Sequence, residues 1–288
     1  MGNAKKAVSK QNLPKLLSLY AKQSWLIERD AELIELLNFC EDEARQKLII
    51  ELLGDFYFLE QRVLANYLNE IAEYIIEESK FDESKAQIAS ITYDNDPDSS
   101  QKVLDYIKIP LGKLGWGRVK MVNNFGASVK SFNKGFKQII FIDEFIGSGQ
   151  TILGRLDYLK KNTDGDVEIK LCFIAGMDYA IKLVEEQGYE IFCPLRLNRG
   201  ISDKYRGEEL ANAIEIMNVL EGKLADTINS ISLSPKYNFG YNQAEALYSL
   251  EGCNGNTPNS VFPIFWWSKT KSEDNRKTLL FRFEQKLL

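Results

Sequence analysis

A chain of 288 residues, 44% hydrophobic and 11% aromatic, can form one large domain, or a medium domain with an extension, and has the material to fill a core, so disorder is not expected. Its formal net charge of -5, from 36 Lys and Arg against 41 Asp and Glu, lacks the basic excess of an obligate nucleic-acid binder, although a local basic patch is still allowed. There is no histidine, which removes Ser-His-Asp and Cys-His mechanisms, most zinc sites and the commonest general base, so chemistry here must run on carboxylates, lysines, tyrosines or a substrate's own metal.

From Leu13 to about Ser79, apolar residues recur at spacings of three and four, as in Leu64, Tyr67, Ile71 and Ile75, with glutamates and lysines on the other face. This predicts three or four helices that pack or dock a partner. After Ser84 the pattern changes: "QIASITYD" (87–94) alternates and is β-branched, "NDPDSS" (95–100) is dense in turn formers, and "QKVLDYIK" (101–108) returns to helical spacing. A second such unit follows, with a strand over Gln138–Ile142, a turn over Asp143–Gly149 and a helix from about Thr151 to Lys160. "VEIKLCFIAG" (167–176) and "YEIFCPLRL" (189–197) read as two more strands around a helical "MDYAIKLVEEQG". Four alternations of strand and helix predict an α/β fold with a parallel sheet and crossover helices. From Lys204 to Ile228, and again at "YNQAEALYSL" (241–250), the pattern is helical; "GCNGNTPNSVFPIFWW" (252–267) is aromatic and turn-rich, and "TLLFRF" (278–283) reads as a closing strand. "PIFWW" is too short to span a membrane. Cys40, Cys172, Cys193 and Cys253 are far apart, form no CxxC pair and come without a signal-peptide or transmembrane-length run, so a reduced, cytoplasmic setting is expected.

"IIFIDEFIGSGQT" (139–151) runs from an apolar strand through two acids into a glycine-rich turn. Such a turn before a helix offers free N–H groups and a positive helix end to an anion, and it can equally be a tight turn with Ser148 or Thr151 as N-cap. A nucleotide triphosphatase would use Asp143 for Mg²⁺ and Glu144 for water, but it needs a P-loop upstream. The nearest stretch, "GKLGWGRV", has Arg118 and Val119 where Lys and Ser or Thr are required. A dinucleotide fold would use Gly147 and Gly149, but Ile152 stands where the third glycine belongs, and the acids precede the turn. A third reading uses all parts at once: the carboxylates accept hydrogen bonds from two ribose hydroxyls while the turn curls around a 5′-phosphate on the same sugar.

In that order of parts the stretch resembles the phosphoribosyl-pyrophosphate loop of type I phosphoribosyltransferases. Ile139–Ile142 match the strand, Asp143 and Glu144 the acids, Phe145 and Ile146 the apolar pair, Gly147 the small residue, and Ser148, Gly149 and Thr151 the phosphate turn; Gln150 is bulkier than the glycine or small residue frequent there. The resemblance implies a phosphoribosyltransferase-like domain over 85–288 behind a helical region over 1–84. It also implies a pyrophosphate loop at Asp98, Ser99 and Ser100, where each serine can equally be a plain N-cap, and a mobile hood in "GKLGWGRVK" whose Lys113, Arg118 and Lys120 neutralise pyrophosphate, unless they are simply solvated. With the N-terminal extension, "LRLNRGISDKY", "YNQAEALYSL" and "NTPNSVFPIFWW", the chain further resembles the PRTase-CE family of bacterial conflict systems, some encoded beside retron reverse transcriptases.

That likeness implies Mg²⁺ carried in with phosphoribosyl pyrophosphate and no metal ligand from the protein directly. It implies an acceptor pocket on the C-terminal side at Arg199, Asp203 and Asn256, with Arg196, Tyr205, Asn259 and Trp266 nearby, where Arg199 is either a ligand or an ion-pair anchor and Trp266 either a lid or core. The function implied is an anti-phage effector, toxic when released, that transfers ribosyl phosphate to a nucleobase, nucleotide or nucleic acid. The alternative is an inactive nucleotide sensor or scaffold whose helical region docks a partner protein or a reverse transcriptase–nucleic acid complex; no membrane association is expected.

Overall fold

The computed structural model describes residues 8–92, 99–163, 165–228, 231–251 and 256–283. The chain divides into two compact units: Glu60–Leu197, and a unit formed by its two ends, Met1–Leu59 with Asn198–Leu288. This differs from a division at residue 84. The helix from Gln61 belongs with the sheet, and the chain beyond Leu197 belongs with the first helices.

The end-built unit opens with α1 (Leu13–Lys22), α2 (Asp30–Cys40) and α3 (Glu43–Gly54). Asp42 caps α3 by accepting the Arg45 N–H at 2.9 Å. The helical pattern is then broken by strand β1 (Tyr57–Leu59), which pairs in parallel with Tyr248–Leu250. Periodicity cannot reveal a strand whose partner lies so far along the chain.

The sheet unit begins with α4 (Gln61–Glu73), extended by a π-helical turn over Tyr74–Glu78. It continues through β2 (Ala86–Ser90), α5 (Ser99–Tyr106), α6 (Lys108–Lys113), β3 (Lys120–Val122), α7 (Phe125–Phe132), β4 (Gln138–Ile146), α8 (Gln150–Asn162), β5 (Glu168–Met177), α9 (Asp178–Glu185), β6 (Glu190–Phe192) and β7 (Leu195–Leu197). The strands lie in the order β3-β2-β4-β5-β6, with β7 pairing β5 beyond β6, and every pairing is parallel. The predicted α/β class with a parallel sheet is therefore the observed one. "YEIFCPLRL" forms two short strands instead of one, with Cys193 and Pro194 between them. β4 and β5 are the central strands, and Ile139–Ile142 and Leu171–Ala175 are almost wholly buried, as expected of strands covered on both faces. Near one sheet edge, Tyr74 stacks on Phe192 at 4.6 Å and its hydroxyl donates to Glu190, which also accepts from Lys170.

The end-built unit resumes with α10 (Gly207–Glu221), the hairpin of β8 (Thr227–Ile228) and β9 (Ile231–Ser232), and β10 (Tyr248–Leu250), the partner of β1. "YNQAEALYSL" is thus not a helix but a single 3₁₀ turn leading into β10. Asn242, Gln243 and Glu245 all have positive φ, held there because buried Glu245 accepts hydrogen bonds from the Ile201 and Ser202 N–H groups at 2.8 and 2.7 Å. "TLLFRF" is not a strand either; buried Arg282 donates to the Thr257 carbonyl at 2.6 Å and the segment runs without ladder partners. The aromatic tail segment is core: Val261–Trp267 is buried throughout, Trp266 Nε1 donates to the Val261 carbonyl and Trp267 Nε1 to the Ala225 carbonyl. No helix of the described residues is long and apolar enough to cross a membrane.

Two expectations follow for this unit. Gly240 has φ +82°, and a Cβ there would overlap the Ser260 carbonyl, so Gly240→Ala should cost at least ~2 kcal/mol, read as a lower urea midpoint at unchanged slope. Glu221 is fully buried and accepts from the Phe239 N–H and Asn238 Nδ2, yet desolvation, aided by the charge of Glu245, pushes its pKa from 4.5 up to about 8. The folded chain thus holds a proton that the unfolded chain releases above 4.5. This contribution to stability is full below pH 4.5 and lost as pH rises to about 8. Urea midpoints should fall over that window, and Glu221→Gln should flatten the fall.

Candidate functional site

The sheet's connections place one crevice. From β2 the chain leaves through α5 and α6 to β3 on one side, while from β4 it leaves through α8 to β5 on the other. Adjacent strands whose connections diverge leave a gap above their carboxyl ends, and this is where open α/β sheets bind ligands. β4 also outlasts its neighbour: β2 pairs it only as far as Ser90 opposite Ile142, whereas β5 pairs it to Ile146 opposite Gly176. Among the described residues, Asp143–Ile146 therefore have ladder partners on the β5 side alone. The predicted strand end at Ile142 is four residues short, and both acids lie inside β4, because β5 is long enough to carry the ladder on.

This changes how the acids are presented. Neighbouring strand residues project to opposite faces. Asp143 shares a face with Phe141, which stacks on Phe125 of α7 at 5.2 Å, and is partly exposed. Its Oδ1 accepts the Glu144 N–H at 2.7 Å. Glu144 shares the face of Ile142 and is only 5% exposed. Asp143 is thus the more accessible carboxylate, and Glu144 is buried on the opposite face of β4.

The turn after β4 has the form an anion needs. Gly149 takes the left-handed conformation, φ +75°, as N-cap of α8, so the first N–H groups of a 13-residue helix face outward from the turn. A Cβ at Gly149 would lie 3.2 Å from Val184 and 3.3 Å from the Ala180 carbonyl, so both conformation and space require glycine. Gly147 and Ser148 are partly exposed, and Gln150 and Thr151 exposed, at that helix end. Gly176, which sequence reasoning missed, is required as well: a Cβ there would overlap Ile146, its register partner, directly beneath the turn.

The second loop, after β2, is less simple. Asp98 lies outside the described residues, as does the side chain of Ser99. Ser100 is fully buried, and its hydroxyl meets that of Ser90 at 2.5 Å. Its hydroxyl is therefore turned into the core against β2, not toward a pyrophosphate. The hint was Ser90 itself, which with Gln87 puts buried polar residues into β2.

The hood residues are not brought to this crevice. α5 and α6 carry the chain from the carboxyl edge of β2 to the amino edge, where β3 starts with Lys120 in register with Gln87. The Arg118 N–H donates to Glu83, which precedes β2. Lys113, Arg118 and Lys120 thus gather at the opposite edge of the sheet.

Arg199, Asp203 and Asn256 belong to the end-built unit and are engaged there. Arg199 makes a 2.8 Å ion pair with Asp203, which also accepts the Arg199 N–H. Burial pushes the Asp203 carboxyl up, but these hydrogen bonds and the guanidinium charge outweigh it and hold the group below its usual range. Asn256 Oδ1 accepts the Phe283 N–H at 2.8 Å. Arg196 pairs with Glu185 and Asp178 at the edge of the sheet unit, and Tyr205 donates to Glu51. These geometries are those of anchors.

Among the described residues no group of three or more His, Cys, Asp or Glu side chains could hold a metal ion. Asp143, a hard oxygen donor at the crevice, suits a Mg²⁺ that brings most of its coordination from a phosphorylated ligand and water.

Comparison with solved structures returned a hypoxanthine-guanine-xanthine phosphoribosyltransferase, 16% identical, with 53% of this chain and 91% of that chain covered at a TM-score of 0.30. No curated protein matched the sequence. The PRTase-CE family model matches residues 34–282, across both compact units and the whole of the crevice, and the chain belongs to the PRTase-CE family.

Proposed function

We propose that the crevice binds a ribose 5-phosphate ligand, phosphoribosyl pyrophosphate or a nucleotide, and that the protein transfers ribosyl phosphate from phosphoribosyl pyrophosphate to a nucleobase, nucleotide or nucleic acid. The observation that carries this reading is the position of Asp143 and the Gly147–Thr151 turn together at the sheet's switch point, one residue type suited to sugar hydroxyls and the other to a phosphate. Gly147, Ser148, Gly149, Gln150 and Thr151 hold the 5′-phosphate through backbone N–H groups and the Ser148 and Thr151 hydroxyls. Asp143 accepts from a ribose hydroxyl, and Glu144 supports the sugar from the buried side.

In the transfer, an acceptor nitrogen or oxygen forms a bond to the anomeric carbon as the bond to the pyrophosphate oxygen breaks, and pyrophosphate leaves with that electron pair. The acceptor's proton passes to solvent. Mg²⁺, when bound with the co-substrate, supplies charge neutralisation at the leaving group. The chain's own part is to fix the sugar and phosphate so that the anomeric carbon faces the acceptor, which requires no histidine and no protein nucleophile. PRTase-CE membership supports a role for this chemistry as a toxic effector in anti-phage defence.

Titration calorimetry with phosphoribosyl pyrophosphate and Mg²⁺ tests the site. Asp143→Asn, which keeps the shape and the contact to the Glu144 N–H, should weaken binding at least tenfold, about 1.4 kcal/mol, at unchanged melting temperature. Equal binding by the variant would contradict the assignment. Asp143→Ala with Glu144→Ala should in addition abolish toxicity on expression in bacteria. Binding with no turnover across a panel of bases, nucleotides and oligonucleotides would instead favour the nucleotide-sensor alternative.

A further inference from the structure

The residues first read as a pyrophosphate hood lie at the amino edge of the sheet, and their chemistry is left without a role there. They belong to a longer feature: between Tyr106 and Ile142 the sequence holds seven cations and no Asp or Glu, in a chain whose net charge is -5. Lys108 pairs with Asp105 just outside this run. The other six, Lys113, Arg118, Lys120, Lys130, Lys134 and Lys137, are all exposed and form no ion pair among the described residues.

The topology gathers them. α6 ends at Lys113 and β3 begins at Lys120, while α7 descends through Lys130 to the turn before β4 that carries Lys134 and Lys137; the entry to β2 between them brings Asp82, paired with Lys85, and Glu83, which accepts the Arg118 N–H, so the cations stay in excess. Lys120 is in register with Gln87, and Gln87 with Ile139, so the Cα atoms of Lys120 and Lys137 are roughly 12 Å apart at ~4.8 Å per strand and ~3.3 Å per residue. Solitary cations on a surface are usually just solvated. Here they come with exposed apolar groups, Ile109 at 66% and Leu114 at 42%, and with a partly exposed Trp116. Gly112, Gly115 and Gly117 between them face open space, so backbone as well as side chains can be approached closely.

We propose that this edge, formed by the α6–β3 connection and the α7–β4 turn, docks a single-stranded nucleic acid. The cations match the phosphodiester backbone, and Trp116, Leu114 and Ile109 match the faces of unpaired bases, which a duplex keeps stacked inside. An anionic membrane would also attract the charge, but the apolar groups sit on a glycine-broken connection and a six-residue helix, not along one face of a long amphipathic helix. The surface lies at the edge of the sheet opposite the ribose-phosphate crevice, and its test is independent of that site.

The experiment is fluorescence anisotropy of a labelled 20-nucleotide oligo-dT with the full chain, titrated from 50 to 300 mM NaCl. With about six phosphates engaged, log affinity should fall against log salt with a slope of about -4. Lys113→Glu, Arg118→Glu and Lys120→Glu together should reduce that slope by about half and weaken binding more than tenfold at 50 mM salt, with the melting temperature kept because these side chains are exposed. Trp116→Ala should weaken binding by at least about fivefold. No binding at 50 mM salt, equal affinity in the charge-reversed variant, equal affinity for duplex DNA of the same length, or recruitment to phosphatidylserine vesicles without oligonucleotide binding would each overturn the proposal.

Discussion

The parallel ladder between β4 and β5 is the constraint on which the site depends. Among the described residues, β4 is held on both sides as far as Ile142, then on the β5 side alone through Ile146. Had β2 kept pace, the acids would be sealed into a continuous sheet; had β5 stopped at Cys172, they would sit on an irregular loop. The half-paired stretch is rigid enough to fix Asp143 and open enough on one side to admit a ligand. Gly176 allows the strands this close approach beneath the turn, and Gly149 lets α8 begin immediately above it against α9. The proposed anion and sugar sites would thus be set by backbone positions, the kind of pre-organisation that positional catalysis needs.

The same sheet separates two chemistries by strand direction. At its carboxyl edge are outward-facing N–H groups and carboxylates, suited to one small phosphorylated ligand. At its amino edge lies a surface on which unpaired cations and exposed apolar groups outnumber the nearby carboxylates, Glu83 among them, suited to an extended polyanion. A chain with mildly negative net charge keeps both by leaving acids out of one 37-residue stretch that holds seven of its 36 cations, so whole-chain composition hides the feature. The end-built unit rests on different physics. Its buried carboxylates, Glu221 and Glu245, hold loop N–H groups in place of regular structure, and for Glu221 desolvation makes that device sensitive to pH.

What was legible in the sequence was what short range dictates. The alternation of buried strands with helices gave the fold class, and the glycine-rich turn was rightly read as joining a strand to a helix. The exact end of β4 was not legible, because it is decided by the length of its neighbour β5 rather than by its own residues. β1 and β10 escaped for a similar reason: each is a strand only through the other, and "YNQAEALYSL" has helical spacing that the anchored carboxylate of Glu245 overrides. Ser100 looked like a phosphate ligand because an N-terminal helix serine reads alike whether it faces solvent or floor; only the meeting with Ser90 tells them apart. The hood residues were misplaced because spacing does not say at which end of a sheet a connection lies.

The central claim is that a ribose 5-phosphate sits over the ends of β2 and β4. A crystal structure of the full chain grown with ribose 5-phosphate tests it most directly. The account predicts the phosphate within hydrogen-bonding distance of the backbone N–H groups of residues 147–151 and a ribose hydroxyl on the Asp143 carboxylate. A phosphate bound elsewhere, with that turn empty at saturating ligand, would contradict it.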